Sequence, residues 1–348
     1  MALFPKLLHA STYRPIRLEL SAATLPYWLG VFRHQIDSAA DQATATGGGT
    51  DEARARALAA RAEFRAWLDT LERDPAAAQC VDLLTFDARR DAAFARHGFP
   101  DPFRAVKRRE IELALPLLPG VLAEVDALDG DARLRALVEG IFAGNIFDLG
   151  VVATIELFRA GGTDFHHTRA KLRPRPWRVD DYDAFAARWA GPPHHKAAVL
   201  VDNAGADVVL GMVPFIRELV RRGTRVLMGV NSLPSLNDIT YGELVPLMRR
   251  VAAVDAVVAA ALRDGRLVVI PTGCRLPLID LTQLEPRYCA ACADIDLLVL
   301  EGMGRAVESN FEASFSCDTL KVAMVKDAQV AAYVGGEVYD VVCRFQPA

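Results

Sequence analysis

The chain has 348 residues, of which 52% are hydrophobic and 24% charged, and its formal net charge is −4. This composition is typical of a globular protein of about two domains, and it disfavours nucleic-acid binding, which usually requires clustered positive charge. No apolar run approaches the ~18 residues that span a membrane, and the amino terminus lacks a signal-peptide pattern, so we expect a cytoplasmic protein with free thiols and no membrane partner.

The first half of the sequence predicts helices and gives no strong strand signal before residue 195. The predicted helices lie at about 22–43, 53–73, 103–115, 131–143 and 145–160. Thr50, Asp51 and Glu52 are suitable residues for capping the second of them. A proline-punctuated stretch over 173–193 then separates this half from a different pattern. We therefore predict a mainly helical N-terminal domain over residues 1–190.

The second half alternates short apolar runs with helical stretches such as 208–222. The runs lie at 197–201, 225–230, 266–270, 296–300, 321–325 and 337–342. Continuous apolar runs of this length indicate a parallel sheet that is covered on both faces. We predict an α/β fold: a doubly wound, mostly parallel sheet over residues 191–348, forming a metal-binding catalytic domain, with the N-terminal helical domain packed against it.

Polar residues follow four of these runs. They are Asp202-Asn203, Asn231-Ser232, Thr272-Gly273 and Glu301-Gly302. Because ligands of open parallel sheets bind at the carboxyl ends of the strands, we expect these residues to surround one site.

Asp202, Asn203 and Asp238 are the candidate metal ligands. The first two follow the run at 197–201, and Asp238 ends the loop after the run at 225–230. Taken singly, each would also suit a helix cap or an Asx turn. Together they supply the carboxylate and amide oxygens that hard divalent cations prefer, and three protein ligands leave positions for water and phosphate oxygens.

Further polar residues are candidates for catalysis and for binding an anionic substrate. We predict catalytic roles for Asp202, Asp238 and Glu301, with Glu301 orienting the attacking water. The candidate phosphate or substrate contacts are Asn145, Asp148, Ser232, Arg305, Asn310 and Lys321. Arg305 suits bidentate phosphate contact, and Asn145 and Asp148 would share a face if helical. Lys321 is favoured slightly over Lys326, which fits a solvated lysine.

Two other patterns favour structural interpretations. Cys289 and Cys292 have the spacing of a redox or zinc pair, but no second pair accompanies them, so packing is the better interpretation. The adjacent histidines at 166–167 and 194–195 are interpreted as surface residues, because neighbouring side chains do not share a helix face.

Alternatives to metal-assisted hydrolysis by water stay open. Asp202 could instead attack phosphorus and form an aspartyl-phosphate. Gly302 and Gly304 resemble half of a dinucleotide fingerprint, which suggests a nicotinamide-dependent dehydrogenase, although Val307 stands where the third glycine belongs. A non-catalytic regulatory module that binds phosphoesters is a third interpretation.

Several ordered motifs resemble those of the DUF89 family of metal-dependent damage-control phosphatases. They are DNAGAD (202–207), NSLPSLNDITYGEL (231–244), LEGMGRAVESN (300–310) and CDTLKVAMVKD (317–327), together with STYRP (11–15), FPDPF (99–103), GNIFDLG (144–150) and RPWRVDDYD (175–183). The Glu-Gly-Met-Gly-Arg string is similar to the signature of subfamily II. That branch includes the phosphatase domain of the pantothenate kinase 4 proteins and stand-alone plant homologues.

The resemblance implies hydrolysis of phosphate monoesters with a divalent metal ion, Mg, Mn, Co or Ni, held by Asp202, Asn203 and Asp238. It implies 4′-phosphopantetheine, or its oxidised or damaged forms, as the small phosphorylated metabolite that the protein binds. Leu149 and Glu308 depart from the family, where Trp and, in the kinase-fused proteins, His are frequent. A homo-oligomer is compatible with the sequence.

Overall fold

The computed structural model describes residues 1–16, 18, 21, 23–74, 81–146, 165, 169 and 172–348. The α-helices in this part of the chain are α1 Leu25–Thr46, α2 Asp51–Arg73, α3 Leu83–Arg96, α4 Arg104–Ala114, α5 Leu118–Asp126, α6 Gly130–Ile146, α7 Tyr182–Ala190, α8 Val213–Arg221, α9 Tyr241–Val254, α10 Ala256–Arg263, α11 Pro286–Ala291 and α12 Ala328–Tyr333. The strands are β1 Val179–Asp180, β2 Lys196–Leu200, β3 Arg225–Val230, β4 Leu267–Pro271, β5 Leu297–Glu301, β6 Asp318–Met324 and β7 Val341–Gln346.

The strands form one seven-stranded sheet in the order β1-β7-β6-β5-β2-β3-β4. Every neighbouring pair is parallel except β6 and β7, which are antiparallel. The predicted α/β fold with a doubly wound, mostly parallel sheet is therefore confirmed. The short strand β1 was not predicted, and β7 begins four residues later than predicted because residues 337–340 form a turn, in which the Asp340 amide donates to the Glu337 carbonyl at 3.0 Å.

The apolar runs face two separate cores, one on each side of the sheet. On β2, Ala197 and Val199 belong to one core, whereas Ala198 and Leu200 belong to the other. Because both faces are buried, every residue of the run is apolar. Among the described residues, the first core is covered mainly by α5 to α10, and the second by α1 to α3, α11 and α12. The helical first half thus contributes to both layers, and the predicted domain boundary near residue 190 stays a prediction.

Local sequence signals account for several helix boundaries. The Thr50 hydroxyl accepts a hydrogen bond from the Ala53 amide at 3.1 Å, and Asp51 and Glu52 lie in the first turn of α2, as their acidic character favours. The helix predicted at 208–222 begins instead with a π-helical turn over Asp207–Met212, which continues into α8. Helix α6 ends at Ile146, and residues 147–160 of the predicted helix at 145–160 lie outside the described residues.

None of the helices in the described ranges combines the length and the hydrophobicity that crossing a lipid bilayer requires.

Candidate metal centre

The two predicted ligand segments meet beyond the adjacent strands β2 and β3. The Ala204 amide donates to the Asn237 carbonyl at 2.9 Å, and the Ile239 amide donates to the Asp202 carbonyl at 3.0 Å. These bonds place Asn203 opposite Asp238 in a short antiparallel bridge. The loop after β3 therefore folds back over the end of β2, and the candidate ligands from both segments lie side by side.

Asp202, Asn203 and Asp238 line a cavity of about 970 Å³. They are largely buried, with 7%, 4% and 1% of their surfaces exposed, so the cavity reaches them only at its base. Helix α1 forms one wall, and Lys326 and Asp327 line another part of the cavity just after β6. The position agrees with the rule that open α/β sheets bind ligands at the carboxyl ends of their strands.

A second set of carboxylates overlaps the predicted ligand set. Oxygens of Asp202, Asp207 and Glu301 lie within 4.8 Å of one another, and all three residues are buried. Among the described residues, the buried Oδ1 of Asp207 has no hydrogen-bond partner. Buried carboxylates at this separation repel one another unless a proton or a cation offsets their charge, and this set of oxygen donors fits a divalent metal ion.

Burial also shifts the ionisation of this group. It raises the pKa of Asp207, and it raises the pKa of Glu301 well above its usual value, with the neighbouring Asp207 carboxylate adding to the shift at Glu301. Both shifts have the direction expected when negative charge is concentrated in a dry site.

Glu301 contacts the end of β2 and does not line the cavity. One of its oxygens accepts the Asp202 amide at 2.8 Å, and the other accepts the Asn145 side-chain amide at 3.0 Å. The same Asn145 amide lies 2.9 Å from Asp207. Asn145 can reach both carboxylates because Gly144 packs directly on the π-helical turn, where an added Cβ would lie 3.0 Å from the Asp207 Cα.

The Arg305 guanidinium lies between the two predicted ligand carboxylates. It donates to Asp202 and, through Nη2, to Asp238 at 2.7 Å and to Asn231 at 3.2 Å. The side-chain amide of Asn231 also donates to Asp238 at 2.8 Å. Burial lowers the pKa of Arg305 to about 9, so it stays protonated at neutral pH and offsets carboxylate charge.

The two glycines of the Glu-Gly-Met-Gly-Arg string allow close approach within the protein. Gly302 has a φ of 93°, and an added Cβ there would overlap the Asp202 carboxyl group. At Gly304 an added Cβ would lie 2.6 Å from the Pro277 carbonyl oxygen. Packing against Asp202 therefore explains Gly302, and packing against Pro277 explains Gly304, without a dinucleotide.

Among the described residues, the predicted phosphate contacts Lys321, Ser232 and Asn310 do not line the cavity. Lys321 donates to the carbonyls of Phe311 and Ala313 at 2.8 and 2.7 Å, and the Ser232 hydroxyl accepts the Gly273 amide at 2.8 Å. Asn310 donates to the Arg305 and Ile279 carbonyls at 3.0 and 3.2 Å. Asp148 and Leu149 lie outside the described residues.

Asp207 was missed as a candidate and Lys326 was ranked below Lys321, although the sequence holds a signal for each. Asp207 follows Asn203 by four residues, about one helical turn, in the same motif, and the Asn203 amide donates to it at 2.8 Å. Lys326 lies beyond the carboxyl end of β6 and lines the cavity, whereas Lys321 lies inside the strand. The strand-end rule that identified Asp202 also applies to Lys326.

The histidine prediction is wrong for His194. This residue is buried, and its Nε2 lies 2.9 Å from the Asp318 carboxylate, so it has a structural partner. His195 is exposed, and His166 and His167 lie outside the described residues. Cys289 and Cys292 are free thiols in the second core, in agreement with the packing interpretation.

Comparisons with known proteins agree with these motifs. A family model described as the damage-control phosphatase ARMT1-like domain matches residues 25–342. A damage-control phosphatase of Arabidopsis thaliana is 37% identical over 350 residues, which cover 95% of both chains. Pantothenate kinase 2 of the same organism is 40% identical over all of this chain, and the mouse 4′-phosphopantetheine phosphatase is 32% identical over 98% of it.

The chain spans only 42% of the length of Arabidopsis pantothenate kinase 2 and 48% of the length of the mouse phosphatase. The fold is similar to that of a DUF89 family protein from Pyrococcus horikoshii, with a TM-score of 0.59 at 16% identity, covering 93% of this chain and 98% of that one. The match of the family model over most of the sequence shows that the chain belongs to the damage-control phosphatases with an ARMT1-like domain.

Proposed function

We propose that this chain is a metal-dependent phosphatase that hydrolyses small phosphate monoesters, with 4′-phosphopantetheine or its oxidised or damaged forms as the substrate. The observation that carries this proposal is the meeting of Asp202, Asn203 and Asp238 at the base of one large cavity. The names of the mouse and Arabidopsis relatives support the choice of reaction and of substrate.

Asp202, Asn203 and Asp238 would hold the ion, which the chemistry of oxygen ligands restricts to hard or borderline cations such as Mg²⁺, Mn²⁺, Co²⁺ or Ni²⁺. When bound, such an ion would polarise the phosphoryl group and activate a water molecule. These three residues are preferred to Asp207 and Glu301 because they line the cavity, where a substrate can reach them. Both oxygens of Glu301 are already hydrogen-bonded, so Glu301 acts through Asp202.

The remaining charged groups divide into two roles. Arg305 fixes the relative position of Asp202 and Asp238 by bonding to both carboxylates. Lys326 lines the same cavity and is the proposed contact for the phosphate, as a point charge. Lys321 is not proposed for this role because its ammonium group donates to two backbone carbonyls.

The cavity has room for much more than a phosphate group. Its volume of about 970 Å³ is at the upper end of the range for small-molecule sites, roughly 300–1,000 Å³. Trp28, Val31 and Phe32 of α1 contribute apolar surface to the wall. An extended phosphoester with a partly apolar organic arm therefore fits better than inorganic phosphate alone.

The proposal is tested by phosphate release from 4′-phosphopantetheine and a panel of other monoesters, with each metal and with a chelator. We expect metal-dependent release, and we expect Asp238→Asn to lower kcat/KM by at least about 100-fold because a ligand charge is lost. Asp318→Asn makes the same change at a carboxylate outside the cavity and is the control. Full metal-dependent turnover by Asp238→Asn would contradict the proposal, and substrate-induced stabilisation without phosphate release would favour a non-catalytic module.

A further inference from the structure

The loop of residues 231–238, here called the Asp238 loop, contacts a buried arginine from α3. Arg90 is 1% exposed and donates to the Ser235 hydroxyl at 3.2 Å. Asp87 holds the same guanidinium at 2.6 Å, and the Ser235 hydroxyl itself donates to Asp91. Ser235 therefore bonds the middle of the loop to α3.

A second buried cation, from α4, holds the end of the same loop. Lys107 is fully buried, and its Nζ lies 3.4 Å from the Asp238 carbonyl oxygen, 3.0 Å from Asp101 and 2.9 Å from Glu243. Glu243 also accepts the Thr240 amide at 2.9 Å in the capping box of α9. Lys107 thus fixes both the Asp238 backbone and the helix that begins three residues later.

Between Ser235 and Asp238 the backbone adopts a conformation that local preferences disfavour. Leu236 has a φ of +46°, which is sparsely populated for residues other than glycine. A backbone of this kind persists only where the surrounding contacts hold it. Since Leu236 lies between Ser235 and Asp238, the contacts of Arg90 and Lys107 are placed where they supply that constraint.

We propose that Arg90 and Lys107 are positioning residues that set the metal affinity of the site through the Asp238 loop. This inference rests on the proposed metal site. The Asp238 carboxylate is oriented by Asn231 and Arg305, but its backbone is held by Lys107, so loosening the loop moves a ligand without removing it. Loss of such an outer contact typically weakens metal binding by about 10–100-fold.

The test is Mn²⁺ binding to the full chain, measured by calorimetry or by electron paramagnetic resonance. We expect Lys107→Met to raise the Kd at least about tenfold, Ser235→Ala to raise it several-fold, and Lys107→Arg to restore part of the affinity. Ser235→Ala leaves both buried cations in place, so it tests the proposal even if Lys107→Met does not fold.

Arg217→Met is the matched control. It removes another buried cation, which donates to Asp126 at 2.8 Å and to Asp255 at 2.7 Å, outside the cavity lining. We expect this variant to lose stability while it keeps the wild-type Kd.

The proposal is overturned if Lys107→Met, when folded, and Ser235→Ala both bind Mn²⁺ like wild type, or if the Arg217→Met control weakens binding equally. In those cases wild type still binds the ion, and the proposed metal site stands. If wild type binds no Mn²⁺, or if Asp238→Asn binds it as well as wild type does, the metal site itself is refuted and the positioning role falls with it.

Discussion

Lys321 and Lys326 lie five residues apart and have different surroundings. Lys321 is fully buried, and burial lowers its pKa to about 7, while its ammonium group donates to two backbone carbonyls. Lys326 lines the cavity that holds Asp202 and Asp238. Of the two lysines, Lys326 is the one that lines the cavity, so it is the proposed contact for the phosphate.

Replacing each lysine by methionine should therefore distinguish a lysine that binds the phosphate from one that only stabilises the fold. We expect Lys326→Met to lower kcat/KM for a phosphate monoester by about 10–100-fold, because a charge-assisted hydrogen bond contributes roughly 1.5–3 kcal/mol. Lys321→Met should change kcat/KM by less than about twofold, in line with ~0.4 kcal/mol, and should alter mainly the thermal midpoint. Steady-state kinetics of both variants measures these changes. Equal losses of kcat/KM would contradict the assignment of Lys326 as the phosphate contact.

At this scale the sequence indicates candidate ligands that directly follow a strand, but it does not give the tertiary contacts around them. Asp202 and Asn203 were predictable because an apolar run ends just before them. Asp207 lies one helical turn further on in the same motif and had a signal in its spacing, but its contact with Asn145, which α6 brings to it, was not predictable. The same limit applies to Arg305, whose predicted partner was phosphate and whose observed partners are Asp202 and Asp238.

Among the elements, the contact between α6 and the π-helical turn has the most direct consequence for the site. Gly144→Ala would place a Cβ 3.0 Å from the Asp207 Cα and 3.1 Å from the Ala206 carbonyl, and neither is a flexible side chain. The end of α6 must then move and carry Asn145 away from Glu301. We expect a loss of about 1–3 kcal/mol in the free energy of unfolding, together with reduced activity.

Gly140→Ala in the same helix is the control for this prediction. A Cβ at Gly140 would make only ordinary contacts, at 3.7 Å to Phe165 and 3.9 Å to the Leu210 carbonyl. The variant gains the same helix propensity, up to about 1 kcal/mol, without the clash. Chemical denaturation and activity assays should show Gly140→Ala at or above wild type and Gly144→Ala below it; the reverse order would show that the contact is unimportant.

Element types were more predictable than element boundaries. The runs at 197–201 and 225–230 correspond to β2 and β3 within one residue, because both faces of these strands are buried. The π-helical turn, which packs against α6, has no sequence signal of its own. Strand β1 has only two residues, too few for a periodic pattern.

For the molecule as a whole, Glu308 makes stability depend on pH. Burial, with added repulsion from the Asp87 and Asp327 carboxylates, raises the pKa of Glu308 to about 8. The folded state therefore holds this proton above pH 4.5, where the unfolded state releases it. The resulting stabilisation is fully present below pH 4.5 and is lost as the pH rises through 8.

Glu308→Gln should remove this dependence, because glutamine imitates the protonated acid. We compare the free energy of unfolding of the variant with that of wild type at pH 5 and at pH 8.5. From the lower to the higher pH, we expect this difference to shift in favour of the variant by about 1–2 kcal/mol, a value reduced for contact with solvent in the cavity. Denaturant titrations at both pH values, with a chelator present, measure the gain. A constant difference between the two proteins would show that Glu308 does not titrate in this range.

The fold class was predictable because six apolar runs alternate with helices. The division of the first half between two faces of the sheet was not, because α1 to α3 on one face and α5 to α7 on the other are all helices, and amphipathicity does not identify the partner surface. Helix α1 packs in the second core and forms one wall of the cavity. Because the sequence does not show on which face of the sheet α1 lies, this wall could not be predicted.

The place of β7 in the sheet has a consequence for synthesis of the chain. This strand lies between β6 and β1, although it is the last of the seven to be made. Until residues 341–346 leave the ribosome, the outer backbone amides and carbonyls of β6 have no strand beside them. A nascent or prematurely terminated chain would therefore expose an unpaired strand edge on which other copies could aggregate.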